Sequence, residues 1–140
     1  MSFAPYQNRY EYDIAKNLEA RNILFEYEPR KIDYLYPIRG GVCSNCLSVT
    51  VSKRVNYLPD FWLPEQKLWV EAKGLWTGAG RTKTIAILET SGVIRTENYR
   101  MLFQRDNWLT KAHKHTYIDW CKMHNIIAEV GTEVPQAWIK

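Results

Sequence analysis

No segment of this 140-residue chain approaches the length of apolar run that crosses a bilayer, and no membrane partner is expected. Its first residues, Met1-Ser2-Phe3-Ala4-Pro5, lack the basic-then-apolar layout of a secretory signal. A cytoplasmic protein is therefore expected, with its three cysteines as reduced thiols. Low-complexity runs and internal repeats are missing too. That leaves an ordinary globular fold, and the length suits a single domain. Acidic residues are fewer than basic ones, 15 against 19, for a net charge of +4. This modest excess fits a polyanionic partner, although a solvated surface accounts for the same charges.

What the chain does have is concentrated in residues 57–76. Two short apolar runs, Phe61-Trp62-Leu63 and Leu68-Trp69-Val70, flank a polar turn at Glu65-Gln66-Lys67, the pattern of a β-hairpin. Side chains alternate along a strand, so Glu71 and Lys73 share one face while Val70 and Ala72 take the other. Asp60, on the first strand, is near enough to aim at the same point. Charges converging on a sheet are costly unless something offsets them. A divalent cation on the two carboxylates does so, because Mg²⁺ takes oxygen ligands, commonly one or two carboxylates with water and substrate phosphate. Lys73 then stands where a water attacks. Pro59-Asp60, ten residues, then Glu71-Ala72-Lys73 looks like the PD-(D/E)xK nuclease motif. A surface hairpin with a salt bridge is the plain alternative.

Ahead of the hairpin, Gln7 or Asn8 opens a predicted helix to about Asn22, with Tyr10, Ile14 and Leu18 as its apolar row. Glu11 keeps register with Ile14, Ala15 and Leu18, as a boundary acid whose carboxylate reaches water or as something more. Residues 23–28 and 32–36 alternate and read as strands joined by a turn at Pro29-Arg30, after which Pro37 and Gly40-Gly41 break the pattern. Cys43-Ser44-Asn45-Cys46 resembles half of a zinc ribbon. The other two ligands come from Cys121 and His124, or from a second copy of the pair across a dimer axis. A redox pair, two plain turn cysteines, and Cys121 as mere core are the alternatives. Residues 47–57 form a strand interrupted by the charges of Lys53 and Arg54.

Beyond the hairpin, residues 77–80 read as a flexible link into a helix over 81–91, with Ile85 and Leu88 buried. Arg81 and Lys83 then sit in its first turn, where the helix dipole disfavours cations, unless they and the free amides seat a phosphate. Residues 99–103 form a core strand, Thr116 caps a helix to about His124, residues 126–128 make a short strand, and 135–139 a terminal helical turn. This order predicts an α/β fold: a mixed sheet with helices on its faces.

Taken together, several segments resemble the phage endonuclease I family, the Holliday junction resolvases of T-odd bacteriophages. They are Leu18-Glu19 with 23–28, then 59–64, then Val70-Glu71-Ala72-Lys73-Gly74-Leu75-Trp76, then 121–126 and 135–140, in the same order over most of the chain. The resemblance implies a PD-(D/E)xK restriction-endonuclease-like core in an intertwined, domain-swapped homodimer. Residues 1–140 are then one nuclease domain: 1–38 exchanged with the partner, 39–56 a bridge with the Cys-x-x-Cys insertion, and 57–140 the catalytic core. Asp60 and Glu71 are implied to bind Mg (or Mn), Lys73 to orient or activate the attacking water, and Glu11 to complete the metal site from the other subunit. Lys53, Arg54, Arg81 and Lys83 are the expected DNA contacts. The implied activity is cutting of branched DNA, chiefly four-way junctions, leaving a 5′ phosphate, in a host cytoplasm if the chain is phage-encoded. The departure from the family pattern is the stretch 39–54, which carries Cys43 and Cys46 and favours a structural Zn held between two chains. Two rivals stand: a restriction-type or mismatch-nicking nuclease of the same fold, and a non-catalytic zinc-containing DNA-binding protein.

Overall fold

The structure, a computed structural model, describes residues 2–38 and 51–140. Cys43, Cys46 and most of the stretch 39–56 lie outside the described residues. Helix α1 (Arg9–Ala20) opens at Asn8, whose side-chain oxygen accepts from the Glu11 amide at 2.9 Å. Such a cap is worth about 1 kcal/mol. The helix closes where Asn22 turns left-handed, at φ 57°. There the amides of Asn22 and Ile23 return to the carbonyls of Glu19 and Leu18, each at 3.0 Å. Helix α3 (Tyr117–Met123) ends the same way at Asn125, after opening on a reciprocal Thr116–Asp119 cap.

Five strands make one mixed sheet. Its order is β1 (Glu26–Tyr27), β4 (Phe61–Leu63), β5 (Leu68–Lys73), β6 (Tyr99–Phe103), β7 (Ile127–Val130). β4 and β5 form the predicted antiparallel hairpin, while β5, β6 and β7 run parallel. Parallel neighbours need crossovers, and helices α2 (Gly78–Thr90) and α3 supply them. A separate antiparallel pair, β2 (Ile32–Ile38) with β3 (Val51–Tyr57), lies against α2, where the Leu35 amide donates to Thr90 Oγ1 at 2.8 Å. The chain ends in a short helix, α4 (Gln136–Ile139).

The two faces of β5 look into two cores. Trp69 packs with Tyr99, Met101 and Phe103 of β6 and with Ile87, Tyr117 and Cys121 from α2 and α3. Val70 packs with Phe61, Leu63 and Leu102 under Ile14 and Leu18 of α1 and Trp138 of α4. Each large apolar side chain buried this way contributes about 1.5–3 kcal/mol. Together the two cores fix the direction of every side chain on β5.

Five local expectations are corrected. Residues 23–28 and 32–36 do not form a hairpin. Only Glu26 and Tyr27 pair, with Trp62 and Phe61, and β2 joins the other sheet. Pro37 does not end β2, because the pair β2–β3 leaves an edge on which a missing donor costs nothing. Helix α2 begins at Gly78, not at 81, because Thr77 accepts from the Gly80 amide and caps it early. Its buried residues are Thr84, Ala86 and Ile87, with Ile85 and Leu88 only half-buried. A side chain on Gly80 would meet the Trp76 ring at 3.0 Å, so the glycine lets the helix settle on that indole. The last strand runs Ile127–Val130, a residue later than expected, because Ile126 is spent closing α3.

Candidate active site

Glu71 and Lys73 lie on the Trp69 face of β5, as alternation requires. Glu71 Oε1 stands 3.8 Å from Lys73 Nζ. The glutamate is buried, at 4% exposure, and its Oε2 has no hydrogen-bond partner among the described residues. Burial pushes its carboxyl up to about 7, with Lys73 and Lys83 drawing it down and Glu11 pushing it up. Asp60 reaches the same strand from the residue before β4. Its Oδ2 accepts from the Ala72 amide at 2.8 Å. Burial raises Asp60 too, and the negative charge of Glu11 adds to the rise.

Glu11 is the third residue of α1, where the helix dipole favours an acid. It is buried, and two donors hold it: Asn8 Nδ2 at 2.6 Å on Oε2 and the Tyr27 hydroxyl at 3.0 Å on Oε1. The boundary-acid reading is thereby overturned, since a carboxylate reaching water would not be gripped from both sides. Within one chain, Glu11 lies near enough to Asp60 and Glu71 for its charge to raise both of their carboxyls. An α1 exchanged with a partner subunit, as the resemblance implies, would bring Glu11 to the same place.

A second lysine joins them. Lys83 sits at the sixth residue of α2, past the first turn, so the phosphate seat at the helix start does not form around it. Its ammonium lies 5.1 Å from the centre of the Tyr57 ring. Half-burial lowers its pKa and the charge of Lys73 lowers it further, while Glu71 and Asp60 oppose them. Arg81 is occupied differently: its Nη1 donates to the Trp76 carbonyl at 3.0 Å. Lys53 and Arg54 are exposed on β3, where Arg54 pairs with Asp33 at 2.9 Å, outside the acidic cluster.

Nothing in the local pattern marks Tyr27 or Tyr57 as parts of this site. Asn8 was legible only as a helix opener, and Lys83 only as a DNA contact or part of a phosphate seat, not as a neighbour of the acids. An aromatic in an alternating strand signals a core position, and a hydroxyl aimed at a distant glutamate has no local signature.

The three acids present hard oxygen donors, which Mg²⁺ or Mn²⁺ accepts. Among the described residues no three carboxylate, histidine or cysteine side chains already stand at ligand distances around one point. Such an ion needs only one or two protein carboxylates when water and phosphate supply the rest. The partnerless Oε2 of Glu71 is a donor of that kind, so the set fits. Cys121 fits no metal. It is fully buried in the core, and burial raises its thiol to about 12, the reverse of what a thiolate ligand needs. His124 stacks on Trp120, ring centres 3.9 Å apart, with Nδ1 2.9 Å from the Trp120 carbonyl oxygen. The zinc set that used Cys121 and His124 is therefore withdrawn.

Comparison with known proteins adds the family. The sequence model described as Phage endonuclease I matches residues 2–140. The chain is 29% identical over 136 residues to Endonuclease I of Escherichia phage T7, covering 96% of this chain and 78% of that protein. It is 28% identical over 123 residues to Endodeoxyribonuclease 1 of Enterobacteria phage T3, covering 87% and 69%.

Proposed function

This chain belongs to the phage endonuclease I family, and on that premise we propose that it is a structure-selective endodeoxyribonuclease cutting four-way and other branched DNA. The observation that carries the proposal is the meeting of Glu11, Asp60 and Glu71, three carboxylates in a mostly buried place, beside Lys73. Like charges held together out of water need an agent that neutralises them. The names of the two relatives, an endonuclease and an endodeoxyribonuclease, give the substrate class.

Asp60, Glu71 and Glu11 hold Mg²⁺ or Mn²⁺. When bound, the ion supplies Lewis-acid polarisation of the scissile phosphate and a more acidic water. The protein's own groups do the positioning. The Ala72 amide fixes Asp60, and Tyr27 with Asn8 fixes Glu11. Lys73, partly exposed, holds the attacking water, whose oxygen bonds to phosphorus as the bond to the 3′ oxygen breaks. The water gives up one proton to solvent as it attacks, the departing 3′ oxygen takes one up, and the phosphate stays on the 5′ oxygen. Lys83 offsets the charge that grows on the phosphate oxygens.

The working unit is an intertwined homodimer on a PD-(D/E)xK core, with Cys43 and Cys46 of two chains sharing a structural zinc. Junction choice follows from shape, since two basic channels grip two arms of a bent junction and a linear duplex fills only one. The deciding experiment compares four-way and linear duplex substrates with Mg²⁺ and with EDTA, for the native chain and Glu71→Gln. Cutting is expected on junctions, only with metal, and not by Glu71→Gln, which still binds the junction. Equal cutting of both substrates would sink junction selectivity, and cutting by Glu71→Gln would sink the metal assignment. Zinc analysis of the native protein and Cys43→Ser checks the second metal, and equal zinc content would remove that site.

A further inference from the structure

We propose that the loop 104–116 is the surface that meets the branch point, with the Trp108 ring stacked on a base exposed there and the loop's cations on the flanking phosphates. This rests on the reading of the chain as a nuclease for branched DNA.

The loop starts at the active site. Phe103 lies opposite Lys73 in the parallel register, and the next amide, of Gln104, donates to the Lys73 carbonyl at 2.9 Å. A cleft of about 310 Å³ separates Gly74 and Leu75 from Gln104, Arg105 and Asn107. Whatever strand is cut beside Lys73 passes close to this loop.

Its conformation is set by the chain. Trp108 bridges Thr116, the Leu109 amide donates to the His115 carbonyl at 2.8 Å, and the Tyr117 amide donates to the Asn107 carbonyl at 3.0 Å. Leu109 is packed against the core, while its neighbour Trp108 is turned outward and 50% exposed. The indole rests on the His113 imidazole, ring centres 5.0 Å apart and planes 19° from parallel. An aromatic platform held flat and half in water suits a nucleobase, because every base has a π-face.

The charge is complementary as well. Arg105, Lys111 and Lys114 stand against a single acid, Asp106, which is occupied in accepting from the Ile118 amide at 3.0 Å. None of the three cations forms an ion pair among the described residues. In a continuous duplex the bases cover one another's faces. A branch point interrupts that stack, so a stacking residue here adds a discrimination between junctions and linear DNA to the one that the grip on two arms supplies.

The test uses the full-length protein in EDTA, so that no cutting intervenes, and four-way junctions with 2-aminopurine either at the crossover or within an arm. The native protein is expected to change the fluorescence at the crossover and not in the arm. Trp108→Ala is expected to abolish that change and weaken junction binding roughly five- to a hundred-fold. Its binding to linear duplex should stay within about twofold, and Trp108→Phe should keep most of the junction affinity. The double variant Lys111→Glu/Lys114→Glu should weaken both substrates and lower the salt slope of binding by about two. Junction binding by folded Trp108→Ala equal to the native protein, or no crossover signal from the native protein bound to a junction, overturns the inference. A native protein that neither binds nor cuts junctions overturns the underlying reading instead.

Discussion

The carboxylate of Asp60 accepts a hydrogen bond from the backbone amide of Ala72 at 2.8 Å, between Glu71 and Lys73 on the neighbouring strand. β4 begins at Phe61, opposite Val70, so the Ala72 amide lies beyond the last paired residue on that side. The aspartate takes the place that a strand carbonyl would hold. One bond thus satisfies a donor and sets the acid beside its partners.

Asp60→Asn keeps an acceptor for that amide and removes the charge. Its cutting should fall at least about a hundred-fold, beyond the loss from removing an indirect partner of a metal ligand. Its melting temperature at alkaline pH should hold or rise. Asp60→Ala leaves the amide unpaired as well and should be less stable than Asp60→Asn by about 1–3 kcal/mol. Thermal melts of the two proteins side by side check this, and equal stability would mean the bond contributes nothing.

The raised acids make stability depend on pH. Glu71 goes from its ordinary 4.5 to about 7, and Asp60 is also raised. Their folded state binds protons more tightly than the unfolded chain. Their stabilising contribution is therefore present at acidic pH and lost as pH rises from about 4 through about 7. The loss is on the order of a few kcal/mol. In EDTA the melting temperature should fall between about pH 5 and about pH 8. Glu71→Gln should flatten the fall, and Mn²⁺ should restore stability at the upper end. A native profile that rises with pH over this window would contradict the electrostatics of the site.

Lys83→Met should slow cutting roughly ten- to a hundred-fold, because it removes a cation set against Glu71 and Asp60. Junction Kd should change less than about threefold. Single-turnover rates and equilibrium binding separate the two. A weaker Kd and a smaller salt slope with an unchanged rate would return Lys83 to ordinary phosphate contact.

Tyr27→Phe deletes the hydroxyl that donates to Glu11 at 3.0 Å. The expected cost is about 1 kcal/mol of stability and roughly tenfold in the Mn²⁺ concentration needed for half-maximal cutting. An unchanged Mn²⁺ dependence would separate Glu11 from the metal.

Mixing Glu11→Gln and Glu71→Gln chains tests the exchange of α1. In an intertwined dimer each site draws Glu11 from one chain and Glu71 from the other, so the mixed dimer holds one intact site. The mixture should then regain cutting that neither variant shows alone. If the site closes within each chain, every site carries a substitution and the mixture stays inactive.

The sequence by itself determined what repeats at short range. The 57–76 hairpin, the faces of β5, the Asn8 and Thr116 caps and the β6 strand all follow from alternation, helical spacing and capping chemistry. It also placed Asp60, Glu71 and Lys73 together, because β5 carries two of them and the residue leading into the neighbouring β4 carries the third. Only the tertiary structure decided which strands pair, so β1 and β2 part company despite adjoining in the chain. Only packing showed that Glu11 is gripped by Tyr27 and that Lys83 leans over Tyr57 toward the acids. Local pattern fixes the direction of a side chain relative to its own helix or strand. Where that element lies depends on apolar surface buried against distant partners, and α1 and α2 bring Glu11 and Lys83 to the end of β5 only once both cores have formed.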